Sequence, residues 1–256
     1  SPKHTLLTLE NKFAIPNGFA WPGKMTFYTL PAQDDSNTDW LSHLAVHEYW
    51  HIAQEAAFWG PLLVPYHVIP TQVWLFEGDS VVAETVFTKS GRGRLPSFSL
   101  LYRASLLEGK KYSYHQHALG SLQHLVPDLY KMGYYMVSFL RKKYGSDFFK
   151  QILDKGSSKT IFKTFGLRVK ELTGKSLEQI YEETNSELIS LWQKQLEGLS
   201  FTPVEVIAEA KILVYDGYYF PQGDFLENHT KVLAYKEGMS CKGSFITISD
   251  KGDETE

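Results

Sequence analysis

The chain has 256 residues, 43% hydrophobic and 21% charged, an ordinary globular balance with enough residues for one sizeable core or two smaller ones. Its formal net charge is −3 and its 26 Lys and Arg are scattered, which leaves no footprint for nucleic acid or an anionic membrane surface. The single cysteine, Cys241, excludes an intrachain disulfide, and no apolar run approaches the length of a membrane span.

Residues 1–36 read as strands and turns, with "PNG" and "WPG" as turn signals and "KMTFYTL", 24–30, as a strand of alternating aromatic and β-branched residues. The polar stretch "PAQDDSNTD" ends in good N-cap residues and opens a helix over 39–58. "WGPLLVPYHVIP" breaks it, and a second helix is expected over 71–88. "KSGRGRLPS" reads as a loop, 98–108 as a short helix, and 110–126 as an aromatic- and His-rich stretch without clear period. Pro127 and Asp128 open a helix that Gly145 closes, and shorter helices are expected near 146–154 and 158–165. A long helix over 176–198 begins with a capping box at Ser176. After 200–204 the character changes to β-rich pieces separated by Gly, Asp and Asn. The division expected is therefore a domain over 1–200 and a β-rich segment over 204–256.

The chemistry concentrates in "LAVHEYWHIAQ", 44–54. Positions i and i+4 lie on one face of a helix, so His47 and His51 can direct imidazole nitrogens at one cation. Glu48 lies about a hundred degrees round the helix, awkward for a third ligand but able to reach a water at the open position. That is the geometric reason H-E-x-x-H suits zinc hydrolysis. A helical histidine pair can equally be a satisfied core or surface feature. A catalytic zinc needs a third protein ligand, and Glu77 in "WLFEGDSVVAE" is the candidate, with 25 residues between it and His51. It lies among Trp74, Leu75, Phe76, Val81 and Val82, where a buried carboxylate calls for a cation. The alternative puts it on the solvent face.

"LAVHEYWHIAQ" followed by "WLFEGDSVVAE" resembles the gluzincin zinc metallopeptidases, and "GRGRLPSFSLLYRASLLEGKKYS" and "YKMGYYMVSFLRKKYG" resemble a peptidase-MA-like bacterial subgroup. The resemblance covers about residues 24–155 well. It implies an α+β, zincin-like fold, mostly helical with a small N-terminal sheet, in which His47, His51 and Glu77 hold one zinc ion. It further implies Glu48 as general base and Glu84 as the partner that orients a ligand histidine. Where many relatives carry a small apolar residue after the E-G pair, this chain has Asp79. Members of the subgroup are often exported to the periplasm or cell envelope, some joined to a Tol-type β-propeller, and the tail "KVLAYKEGMSCKGSFITISDKGDE" is similar to a propeller strand–turn pattern. No signal peptide is found, and because the chain opens on Ser1 both termini are treated as potential cut ends.

An oxyanion donor is also required. Tyr130 and Tyr134 share a helix face, with Tyr135 adjacent, and Tyr134 is the residue selected; packing is the ordinary role of such tyrosines. His115 and His117 read as loop or pocket-lining residues rather than a second metal pair, and Arg92 and Arg94 as solvated loop charges rather than a substrate clamp. "KMTFYTL" is the strand expected to pair with an extended substrate. The function expected is zinc-dependent hydrolysis of a peptide or protein substrate. A zinc-stabilised binding or scaffold protein without turnover, and a metal hydrolase acting on another substrate, are the alternatives.

Overall fold

The computed structural model describes residues 18–21, 26–29, 40–58, 72–121, 124, 126–154, 165–203, 217–219, 225–226, 231–237, 243–249 and 251–255. The described fold is mostly helical and broadly α+β. It divides into two compact units, one of residues 1–120 with 126–196, the other of 121–125 with 197–256. Among the described residues no helix is long and apolar enough to cross a membrane.

The first unit opens with β1 (Gly18–Trp21) and β2 (Thr26–Thr29), paired antiparallel with Phe19 opposite Tyr28. Both lie against helix α1 (Trp40–Phe58), which packs along α2 (Val73–Phe87). The "WGPLLVPYHVIP" segment lies outside the described residues. The chain then forms a single 3-10 turn (Arg92–Arg94) and α3 (Pro96–Leu107). That helix starts earlier than the 98–108 expected because Pro96 falls in its first turn, where the missing N–H is no loss. A short α4 (Tyr114–Leu119) occupies the stretch read as aperiodic; Ser113 and Gln116 form the capping box that starts it.

Helix α5 (Leu129–Tyr144) begins at the Asp128 cap and ends at Gly145, whose φ of 107° favours glycine. It is followed by α6 (Phe148–Asp154), α7 (Phe165–Thr173) and α8 (Leu177–Leu196). The helix expected over 158–165 falls almost wholly outside the described residues, and α7 begins where it was expected to end. At the start of α8 the capping box closes, with Gln179 N–H on Ser176 Oγ at 3.3 Å and Ser176 N–H on Gln179 Oε1 at 2.8 Å.

One core serves this unit: Trp74, Tyr102, Met132, Met136, Leu140, Phe148, Ile180 and Tyr181 are all buried within it. Its densest point is where α2 crosses α5. A Cβ on Gly78 would lie 2.2 Å from the Gly133 carbonyl carbon, and one on Gly133 would lie 2.1 Å from the Trp74 carbonyl oxygen. The two helices therefore touch backbone to backbone, and only glycine fits at either position.

In the second unit β5 (Lys231–Glu237) pairs antiparallel with β6 (Ser244–Ser249), which pairs with β7 (Glu254–Thr255). The other edge of β5 carries β3 (Gly217–Tyr219) and β4 (Phe225–Leu226). Alternation puts Val232, Ala234, Ile246 and Ile248 on one buried face, while Tyr235 and Phe245 meet edge to face across the other.

Two predictions follow from the packing of the first unit. Alanine normally stabilises a helix interior by about 1 kcal/mol over glycine. Gly78→Ala and Gly133→Ala are instead expected to lose about 3 kcal/mol or more in urea unfolding, because the extra carbon has no space. His117 supplies the second. Its Nδ1 is 2.7 Å from the Tyr181 hydroxyl, which itself donates to the Tyr112 carbonyl, so Nδ1 carries the proton and Nε2 is buried with no partner among the described residues. Burial pulls its pKa down to about 4, against the weaker upward pull of Asp128. The unfolded chain takes up that proton near the ordinary histidine value, the folded chain only near 4. Stability is thus full above about pH 6.5 and falls by up to about 3 kcal/mol toward pH 4. Thermal melts of His117→Phe should lose that slope.

Candidate metal centre

Helix periodicity assembles the centre from two facing stripes. On α1, His47 and His51 are one turn apart; on α2, Glu77, Ser80 and Glu84 fall at i, i+3 and i+7. His47 Nε2 lies 3.1 Å from Glu77 Oε2 and 3.2 Å from His51 Nε2, and His51 Nε2 lies 3.4 Å from the same carboxylate oxygen. Three ligand-type atoms thus form a near-equilateral triangle. Metal bonds of about 2.0–2.1 Å at tetrahedral angles separate ligand atoms by about 3.3–3.4 Å, so the triangle matches one face of a four-coordinate site. The His47–His51–Glu77 group could therefore hold a metal ion.

The far side of His47 is fixed by acid. Its Nδ1 lies 3.1 Å from Glu84 Oε2, which only accepts, and 2.9 Å from Arg92 Nη2, which only donates, so carboxylate and guanidinium together clamp this edge of the ring and leave Nε2 facing the triangle. Glu84 is fully buried and receives three hydrogen bonds from Arg92: backbone N–H to Oε1 at 2.9 Å, Nε to Oε1 at 2.8 Å and Nη2 to Oε2 at 3.1 Å. Burial would raise the Glu84 pKa, but His47 and Arg92 outweigh it and hold it at about 2. Glu77 is likewise pushed up by burial and pulled further down by both histidines, ending well below the ordinary carboxylate range. Burial lowers His51, while the bond and charge of Glu77 and the bond to Gln54 raise it, and the net direction is up.

Glu48 behaves differently from these paired acids. It is 5% exposed and its Oε2 has no hydrogen-bond partner among the described residues. Burial dominates and raises its pKa, opposed by His47 and His51. A buried carboxylate oxygen beside the triangle with nothing to accept from calls for a further group in the site.

The aromatic residue nearest the triangle is Tyr130, whose ring stacks on that of His47 at 6.3 Å and lies under the Arg92 guanidinium at 5.2 Å. Burial and then the Glu77 carboxylate beside it raise its pKa. Tyr134, the residue selected from the sequence, lies one turn along the helix. Its ring packs against Phe98 and Tyr135 and covers Gly93, where a Cβ would meet it at 2.5 Å. The structure brings Tyr130 to the cluster and gives Tyr134 a packing role.

Arg92 is not a solvated loop charge. Gly91 lets the 3-10 turn press onto α2, where a Cβ would lie 2.4 Å from the Glu84 carbonyl oxygen, and this delivers Arg92 to Glu84. Arg94 turns away from the cluster and donates to the Thr88 carbonyl at 3.4 Å. His115 and His117 do not meet: the first is exposed beside Glu178, the second buried on Tyr181. Asp79 ties three helices together, accepting from Trp50 at 2.7 Å and from Arg141 Nη2 at 2.6 Å. A cavity of about 340 Å³ lined by Trp50, Gln54, Leu75, Phe76, Asp79 and Phe149 has none of the triangle residues in its wall.

Comparison with protein-family models, curated proteins and solved structures finds no match.

One divalent ion per chain should bind at this triangle. Zinc at a thousandfold over its dissociation constant is expected to stabilise the protein by about 4 kcal/mol, seen as a rise in melting temperature that a chelator reverses. His47→Ala and Glu77→Ala should each abolish the rise.

Proposed function

We propose that the chain is a zinc-dependent peptidase of gluzincin type with a zincin-like helical domain. The observation that carries this is the pairing of a three-atom ligand triangle with a buried, unpartnered carboxylate contributed by the residue next to the first ligand. Supporting it, α1 and α2 pack face to face, and the β1–β2 pair lies against α1, which makes it the candidate for pairing with an extended peptide.

His47, His51 and Glu77 would hold the ion and leave a fourth position open. Zinc there supplies a Lewis acid that acidifies a water and polarises a carbonyl. Glu48 would accept a proton from a water at the site and return it to the leaving amine. Tyr130 keeps its phenolic proton throughout the neutral range and can donate it in a hydrogen bond to the developing oxyanion. Arg92 and Glu84 would orient the His47 ring from its Nδ1 edge, with Glu84 accepting the Nδ1 proton when the ion takes Nε2. The exported setting implied by the resemblance belongs to the same proposal.

Glu48→Gln should retain bound zinc and lose about 10²–10⁴-fold in turnover of a quenched peptide library. Tyr130→Phe should lower kcat by about 10²-fold or more, while Tyr134→Phe stays within a few-fold of wild type. A zinc-loaded wild type that cleaves nothing across a broad peptide panel rejects the peptidase reading and leaves a metal-stabilised scaffold or a hydrolase of other substrates.

A further inference from the structure

His51 has no acidic partner on its far nitrogen, unlike His47. Its Nδ1 lies 2.9 Å from Gln54 Oε1 and 3.2 Å from Ser80 Oγ. Neither group fixes a tautomer alone: a hydroxyl donates or accepts, and a glutamine amide can turn over and present its NH₂. If Gln54 turned, His51 Nδ1 would accept, its proton would move to Nε2, and Nε2 could no longer offer a lone pair to a cation.

The surroundings of Gln54 decide the matter. Its Nε2 lies 3.1 Å from the Phe76 carbonyl oxygen and 3.3 Å from Asp79 Oδ2, two groups that only accept. Turning the amide would face its oxygen with both. Asp79 is held by Arg141 through Nε at 3.2 Å and Nη2 at 2.6 Å, and by the Trp50 indole at 2.7 Å. Gln54 and Asp79 are both buried at the wall of the 340 Å³ cavity, so a turned amide would give up both of these direct hydrogen bonds.

We propose that Gln54, locked by Asp79 and Arg141, is a positioning residue that sets the His51 tautomer and so turns the second histidine into a metal ligand. The lock also accounts for Asp79, which stands where a small apolar residue was the ordinary expectation. Chain residues on three helices thus form a relay from Arg141 through Asp79 and Gln54 to His51. It is the counterpart of the arm from Arg92 through Glu84 to His47. The inference rests on the metal-site reading, yet its core statement concerns a proton on a ring nitrogen and can be read without metal.

The test is ¹⁵N–¹H long-range correlation NMR of the metal-free protein at a pH above the titration of His51, together with zinc affinity by chelator competition. Wild type should show His51 protonated at Nδ1. Gln54→Met and Asp79→Asn should shift it to a mixture or to Nε2–H, leave the His47 tautomer unchanged, and weaken zinc about 10–100-fold. Gln54→Met leaves the Asp79–Arg141 pair intact and so covers the case in which Asp79→Asn fails to fold. Nε2–H in wild type, or an unchanged tautomer and affinity in a folded Gln54→Met, overturns the proposal. A wild type that binds no zinc but whose tautomer responds to Gln54 rejects the metal reading and retains this one.

Discussion

The backbone contact between Gly78 and Gly133 is the constraint on which the site depends. It fixes how closely α2 and α5 approach, and with it the position of everything α2 carries. Glu77 precedes Gly78 in sequence, and Tyr130 lies one turn before Gly133, so the crossing brings the carboxylate and the phenol together. The same helix turns its other stripe, Glu77, Ser80 and Glu84, toward α1. A single close crossing thus sets α2 and α5 as two walls of the enclosure around the histidines of α1.

Electrostatics then determines what the enclosure favours. With both rings protonated on Nδ1, two imidazole lone pairs and a carboxylate oxygen would lie within 3.4 Å of one another, an arrangement that is repulsive until a positive charge enters. Without a metal, protons supply that charge, which is why His51 is raised and Glu77 lowered. A metal ion supplies it without occupying the lone pairs with hydrogen, and metal binding is therefore a competition with protons that strengthens as pH rises. Glu48 differs from Glu77 and Glu84 in its surroundings: burial outweighs the pull of His47 and His51 and raises its pKa, and its Oε2 has no hydrogen-bond partner among the described residues.

Much of this was readable in the chain because it is written in local periodicity. The i, i+4 histidines, the bounds of α1, α2 and α5, and the Ser176 capping box need only helix geometry and capping chemistry. What escaped depends on tertiary approach. "GRGR" reads as a flexible basic loop until Gly91 is found against the α2 backbone, which aims Arg92 inward; the alternation of glycine with arginine was the signal. Tyr130 and Tyr134 are equivalent on a helical wheel, and only the line of the α2–α5 crossing separates them. Gln54, three residues after His51, shares its helix face, but its role depends on Asp79, whose partner Arg141 is 62 residues away. Helix α4 was missed because its capping box at Ser113 starts a run too short to show a period.

The central claim is that one ion occupies the His47–His51–Glu77 triangle. Anomalous diffraction from crystals grown with zinc tests it most directly. The account predicts one peak per chain at about 2.0–2.1 Å from His47 Nε2, His51 Nε2 and a Glu77 carboxylate oxygen. A map with no peak there, or with zinc held by other side chains while the triangle stays empty, would contradict it.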